Sequence, residues 1–322
     1  MGDFVGPPLP PESPADNAFG AGFVGPPLPV PPADKMNIFD TPRNYLSGEF
    51  VDFVTRIDRF FGDDRHYQEV NDSVVQLDVI RIFGYGGEHK FVWSGRAKVR
   101  LPIAEQKLHL IVETDPDKNA GVDPKTTLSP QLKQPSTPQS YAAALRIEKR
   151  DAERWHLSAD GGIKLAGLNS RPFARMRASL AVPMGLWRAK LAETAFWFNT
   201  TGAGETTQFD LERPISAPLL LRATSSATWL HDKQNFDMRQ DISLIHALDE
   251  RTALLYQASV VGVSRPHAQV MDCVLLALYR YRVHRDWTFI ELSPQLHFPI
   301  DRDYRASPMF SMRLEILFDE TR

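Results

Sequence analysis

One cysteine, Cys273, occurs in 322 residues, which excludes an internal disulfide and any cysteine-rich zinc or iron–sulfur site. Charge of one sign is also lacking. Lys+Arg 37 against Asp+Glu 40 leaves a formal net charge of -3, so no global pull toward nucleic acid follows. Long apolar runs are missing too, the densest being Val274 to Leu278, far short of the roughly 18 residues a membrane helix needs. A helical membrane protein is excluded. Catalytic signatures are nearly absent. The histidines are scattered without chelating spacing, and Gly84-Tyr85-Gly86-Gly87 lacks the third glycine of a dinucleotide fingerprint. That string and Gly202-Ala203-Gly204 are read as tight hairpin loops, and no cofactor is expected.

Proline, by contrast, is abundant and uneven. Residues 1 to 42 hold 11 of the 25 prolines and a duplicated string, Phe4-Val5-Gly6-Pro7-Pro8-Leu9-Pro10 and Phe23-Val24-Gly25-Pro26-Pro27-Leu28-Pro29. Proline removes amide donors and favours polyproline II, so residues 1–45 are expected to be a disordered arm. The arm is a spacer or a tether for a periplasmic partner; in the second case Phe4, Pro7, Pro8, Leu9, Phe23, Pro26, Pro27 and Leu28 are the sticky points. No positively charged start and apolar stretch follow Met1, so an export signal is expected to have been removed or never present.

Residues 46–72 comprise an amphipathic helix and a linker. Leu46, Phe50, Phe53, Val54, Ile57, Phe60 and Phe61 fall at helical spacing, with Glu49, Asp52, Arg56, Asp58 and Arg59 on the other face. A lumen lined with Arg and Glu is a poor partner for this stripe. The helix is therefore expected at the rim or in the membrane interface, not as a plug.

Period two takes over from Ser73. Phe91, Trp93, Gly95, Ala97 and Val99 alternate with Ser94, Arg96, Lys98 and Arg100, and Phe310, Met312, Leu314, Ile316 and Phe318 with Ser311, Arg313 and Glu315. Turn residues divide 73–318 into about fourteen strands, with twelve or sixteen as alternatives, and 319–322 form a tail. The strands lie near 73–83, 89–101, 107–114, 140–148, 154–165, 172–182, 186–198, 205–212, 218–229, 236–247, 252–263, 269–282, 287–297 and 308–318. Short turns fall on one rim, and the longer segments 116–139 and 299–307 on the other. Trp155, Trp187, Tyr279 and Tyr281 fall near the first rim, Phe91, Trp93, Phe173, Phe196, Trp197 and Phe198 near the second, with Phe209 and Tyr256 as mid-strand exceptions. This is the pattern of an all-β, antiparallel transmembrane barrel in a Gram-negative outer membrane, surrounded by its lipid; a soluble all-β fold is the alternative.

The strings Ile57-Asp58-Arg59-Phe60-Phe61-Gly62-Asp63, Phe196-Trp197-Phe198, Gly204-Glu205-Thr206-Thr207, Leu248-Asp249-Glu250-Arg251 and Val283-His284-Arg285-Asp286-Trp287 resemble those of uncharacterised predicted outer-membrane proteins of proteobacteria. The resemblance spans most of residues 45–318 and implies location and fold without an activity. Ser311 to Phe318 also resembles the signal read by the barrel-assembly machinery, which is thereby implied as a partner during biogenesis. Here Asp319 to Arg322 follow the aromatic that usually ends the chain.

The inward face of the expected barrel carries Arg96, Lys98, Arg100, Arg175, Arg177, Arg280, Arg282 and Arg313, with Glu113, Glu148, Asp210, Glu212 and Glu315 as counter-charges. Two roles are open: a salt-bridged interior, or a cationic constriction favouring anions. The function expected is thus a passive pore or structural envelope component, not an enzyme. The alternatives are an interaction platform built on the arm, and a lipid-modifying enzyme using His156 as base and Ser158 as nucleophile.

Overall fold

The computed structural model describes residues 53–61, 67, 73–85, 89–101, 108–119, 138–151, 155–216, 218–283 and 287–319. The arm, its duplicated string and the tail beyond Asp319 lie outside them. Fourteen antiparallel strands form a closed barrel: β1 (Val74–Gly84), β2 (Phe91–Arg100), β3 (Leu108–Thr114), β4 (Tyr141–Asp151), β5 (Trp155–Ala166), β6 (Asn169–Met184), β7 (Trp187–Phe198), β8 (Gly202–Ser216), β9 (Leu219–Leu230), β10 (Asn235–Ala247), β11 (Thr252–Val263), β12 (Gln269–Arg282), β13 (Thr288–Pro299) and β14 (Ser307–Asp319). Closure is by the terminal strands, running from Val74 opposite Asp319 to Gly84 opposite Met309. A closed sheet has no edge, the condition for a sheet to sit in hydrocarbon.

Alternation sorts the side chains between two solvents. Leu145, Leu157, Ile163, Met176, Leu191, Ile242, Val260 and Leu275 are exposed on the outer surface. Their neighbours in sequence, such as Arg146, Ser158, Arg175, Lys190, Asp241, Ser259 and Val274, are buried within. Apolar outside and polar inside is the inverse of a soluble protein and defines a transmembrane barrel. Aromatic residues mark both rims of the belt: Trp93 stacks on Tyr141 at the upper rim (centroids 6.1 Å), and Trp287 on Phe318 at the lower rim, where the short turns lie (5.2 Å).

Three expectations are corrected. Phe173, Phe196 and Phe198 do not belong to the outer girdle. They share parity with inward Arg175 and Lys190 and form a buried cluster inside the upper lumen with Ile111, Ala142, Ala144 and Leu230. Nearness to a strand end had placed them, but parity decides which solvent they meet. Gly202 to Gly204 is not a loop. β8 starts there, and Gly204 makes room for the Phe196 ring, whose Cζ would lie 2.6 Å from an added Cβ.

The third correction concerns the amphipathic helix, of which residues 53–61 (α1) are described. It lies inside the barrel. Val54, Ile57 and Phe61 pack on Leu220, Ile245, Leu255, Leu276 and Leu278, whose side chains share parity with lumen residues of β9–β12. The lumen is therefore two-sided: charged on one sector of wall and apolar on the other, and it is the apolar sector that receives the stripe.

The lumen as candidate functional site

Three side-chain networks cross-brace the wall. In the first, formed by β1, β12, β13 and β14, Arg280 is fully buried and pairs with Glu315 (Nη2–Oε1 2.6 Å) and with Glu291. Arg313 reaches Glu291 at 3.1 Å, Asp78 at 3.3 Å and also Glu315. Adjacent Arg96 donates to Gln76 Oε1 at 2.7 Å and lies over the Tyr67 ring at 4.4 Å. A buried charge is tolerable only when paired and hydrogen-bonded, which explains why these side chains occur as alternating cations and carboxylates on adjacent strands.

The second network spans β2 to β6. Arg146 clasps Asp160 through Nε (2.5 Å) and Nη2 (2.7 Å), and Arg175 bridges Asp160 (2.9 Å) and Glu113 (2.6 Å). Lys98, fully buried, pairs with Glu148. At its upper end lies a short helix, α2 (Pro116–Asn119), held to the network by two contacts. Arg175 Nη1 donates to the Pro116 carbonyl at 3.4 Å, and Lys164 Nζ meets Asp117 at 2.6 Å. Asp115, at φ 45°, fixes the entry to α2 by accepting from Gln139 N, Ser140 N and Ser140 Oγ, each at 2.9 Å. On the opposite side of this rim, Tyr85 sits between His297 (5.1 Å) and Arg302 (4.8 Å). Its phenol is held above its ordinary pKa by burial and then by Asp301 and Asp272.

The third network ties α1 to the wall. Arg222 of β9 pairs with Glu212 of β8 at 2.7 Å and with Asp58 of α1 at 2.7 Å. On the other flank of the helix, Phe60 meets Phe289 edge-to-face at 5.7 Å, and the Arg280 and Arg282 guanidinium groups lie 5.7 and 5.3 Å from its ring centroid. Thus α1 is gripped by apolar contact on one sector and by charge and cation–π contact on the next. Full burial of Leu220 and Phe289 beneath it shows that no water-filled gap separates helix from wall at those points.

Of the cations singled out from sequence, Arg280 and Arg313 share one network, Lys98 and Arg175 a second, and Arg96 and Arg282 stack on the aromatic residues Tyr67 and Phe60. Arg177 donates to Thr194 Oγ1 at 3.4 Å, and the Arg100 backbone donates to Ser73 Oγ at 3.2 Å. Their contacts thus fall into separate groups along the wall. His156 and Ser158 are buried on the inward face, where His156 Nε2 lies 3.7 Å from Glu148 Oε2, so neither side chain faces lipid. Sequence reading missed Arg146, Asp160, Arg222, Glu291 and Asp58 as network members. The inward parity of β4, running Ala142, Ala144, Arg146, Glu148, would have found the first of these.

A closed antiparallel barrel with an apolar, aromatic-rimmed outer belt and a charged interior is a porin-like outer-membrane β-barrel. No family model and no curated protein matches the chain. Among solved structures it is similar to OprB of Pseudomonas putida (9% identity, 76% of this chain, 93% of that one, TM-score 0.47). It is likewise similar to the outer membrane channel DcaP of Acinetobacter baumannii (8%, 76% and 96%, 0.44). OmpT, an outer membrane protein of Vibrio cholerae, gives 9%, 77% and 97%, 0.43. At these values the likeness is one of barrel architecture.

Proposed function

We propose that this chain is an outer-membrane channel protein held closed by its own N-terminal helix. The observation that carries the reading is the seating of α1 on the apolar lumen sector through Val54, Ile57 and Phe61, with Asp58 paired to Arg222. A barrel serving only as a rigid envelope component needs no separate helix docked in its lumen. A channel that must stay shut does, because an open lumen would leak.

The pairing of Arg175, Arg280 and Arg313 with carboxylates supports a bracing role for these cations over an anion-selecting ring. The interaction-platform reading rests on the duplicated string of residues 4–10 and 23–29; deleting 1–42 should then abolish capture of a periplasmic partner while leaving the barrel folded. The channel reading is tested by single-channel recording in planar bilayers. Full-length protein should rest closed, and Ile57→Asp should open it. A barrel equally silent with and without the helix-releasing substitution would overturn the gate.

A further inference from the structure

Strand β12 is apolar on both faces between Val274 and Leu278, the longest such stretch of the wall. The inner face is explained by α1. The outer face borders a groove of about 560 Å³, lined by Ile242, Tyr256, Ala258, Leu275, Ala277 and Leu296. The register explains its shape. One row across the strands reads Leu244, Tyr256, Ala277 and the next Ile242, Ala258, Leu275, Leu296, so the small Ala258 and Ala277 form a floor between large neighbours.

The wall is also weakened at this level. Between Leu276 opposite Gln295 and Tyr279 opposite Leu292, the β12–β13 ladder loses two rungs, whereas β13 keeps its pairing to β14 through Ser293 and Pro294. Pro294 has no amide hydrogen to donate, and proline in the interior of a sheet removes ladder bonds in this way. The groove thus lies beside a local gap in the ladder. Tyr256, the mid-strand aromatic that fits no girdle, forms part of its side.

We propose that this groove is a specific site for one acyl chain of a bilayer lipid. Its mid-strand height, between the aromatic rims, places hydrocarbon there and no headgroup. Its outer lining is almost wholly apolar, so a methylene chain is the chemistry it matches. The proposal does not depend on whether the barrel conducts.

The test is photo-crosslinking of the full-length chain in vesicles of phosphatidylethanolamine and phosphatidylglycerol, doped with phosphatidylethanolamine carrying a mid-chain diazirine. Adducts should concentrate on β10–β13 peptides. Filling the floor with Ala277→Trp, or independently Ala258→Trp, should remove that excess; Leu157→Trp, on the belt at β5, should leave it intact. Heat-shifted gel mobility would verify that each variant is folded. Adducts spread evenly round the belt, or an excess that survives both floor substitutions, would each overturn the site.

Discussion

Replacing Ile57 by Asp attacks the gate where its magnitude can be worked out. Ile57 is 5% exposed among Leu220, Ile245, Leu255, Leu276 and Leu278. Removing its side chain forfeits about 2 kcal/mol of burial, and setting a carboxylate on that apolar sector adds on the order of 2 kcal/mol more after relaxation. A total of about 4 kcal/mol shifts a two-state equilibrium roughly a thousandfold. A helix docked 99% of the time would then be undocked more than about 90% of the time. In a planar bilayer this should convert rare openings into sustained conductance, with the barrel's heat-shifted gel mobility unchanged because no wall residue is altered. Folded protein with wild-type silence would refute the reasoning, since it would mean that α1 does not close the path.

Asp58→Asn should act more weakly, raising open probability by no more than about tenfold, because Arg222 keeps its Glu212 partner at 2.7 Å; single-channel dwell times would measure it. Glu315→Ala leaves Arg280 and Arg313 to share Glu291, with Asp78 the remaining partner of Arg313, and should cost the barrel about 2 kcal/mol, read as a lower urea midpoint in vesicles. Gly162→Ala should be strongly destabilising, since its Cβ would fall 2.4 Å from the Ala143 carbonyl oxygen and 2.5 Å from Ala144 Cβ. Gly161→Ala, with nothing within 4 Å, should be neutral in the same unfolding assay. Leu145→Arg, outward at mid-strand, should cost about 2–4 kcal/mol of barrel stability if that face meets hydrocarbon, and almost nothing if it meets water.

All fourteen strands were legible from turn residues together with period-two alternation, since in most of them one face must match lipid and the other the lumen. Their ends moved by only a few residues, as where β6 extends back to Asn169 and β8 runs on to Ser216. What escaped was the apolar sector of the lumen. Its members sit in continuous runs, Leu219–Leu221, Ala253–Leu255 and Val274–Leu278, where both faces are apolar and parity gives no signal. Without that sector the lumen reads as uniformly charged, and the stripe points to the rim. The charged networks were half legible. Arg280 and Glu315 stand out on alternating strands, but the partner each cation takes depends on register, and register across neighbouring strands was not determined by alternation alone.

The placement of α1 is tested most directly by a spin label at Arg56→Cys in a Cys273→Ser background, with power saturation by oxygen and by a water-soluble nickel chelate in vesicles. Arg56 points away from the apolar wall, so the label need not disturb docking. A helix within the barrel predicts low oxygen accessibility, unlike a reference label at Leu157→Cys in the lipid belt. It also predicts that Ile57→Asp raises accessibility to the nickel chelate. Oxygen accessibility matching the lipid-belt reference would put the helix in the membrane interface and contradict the account.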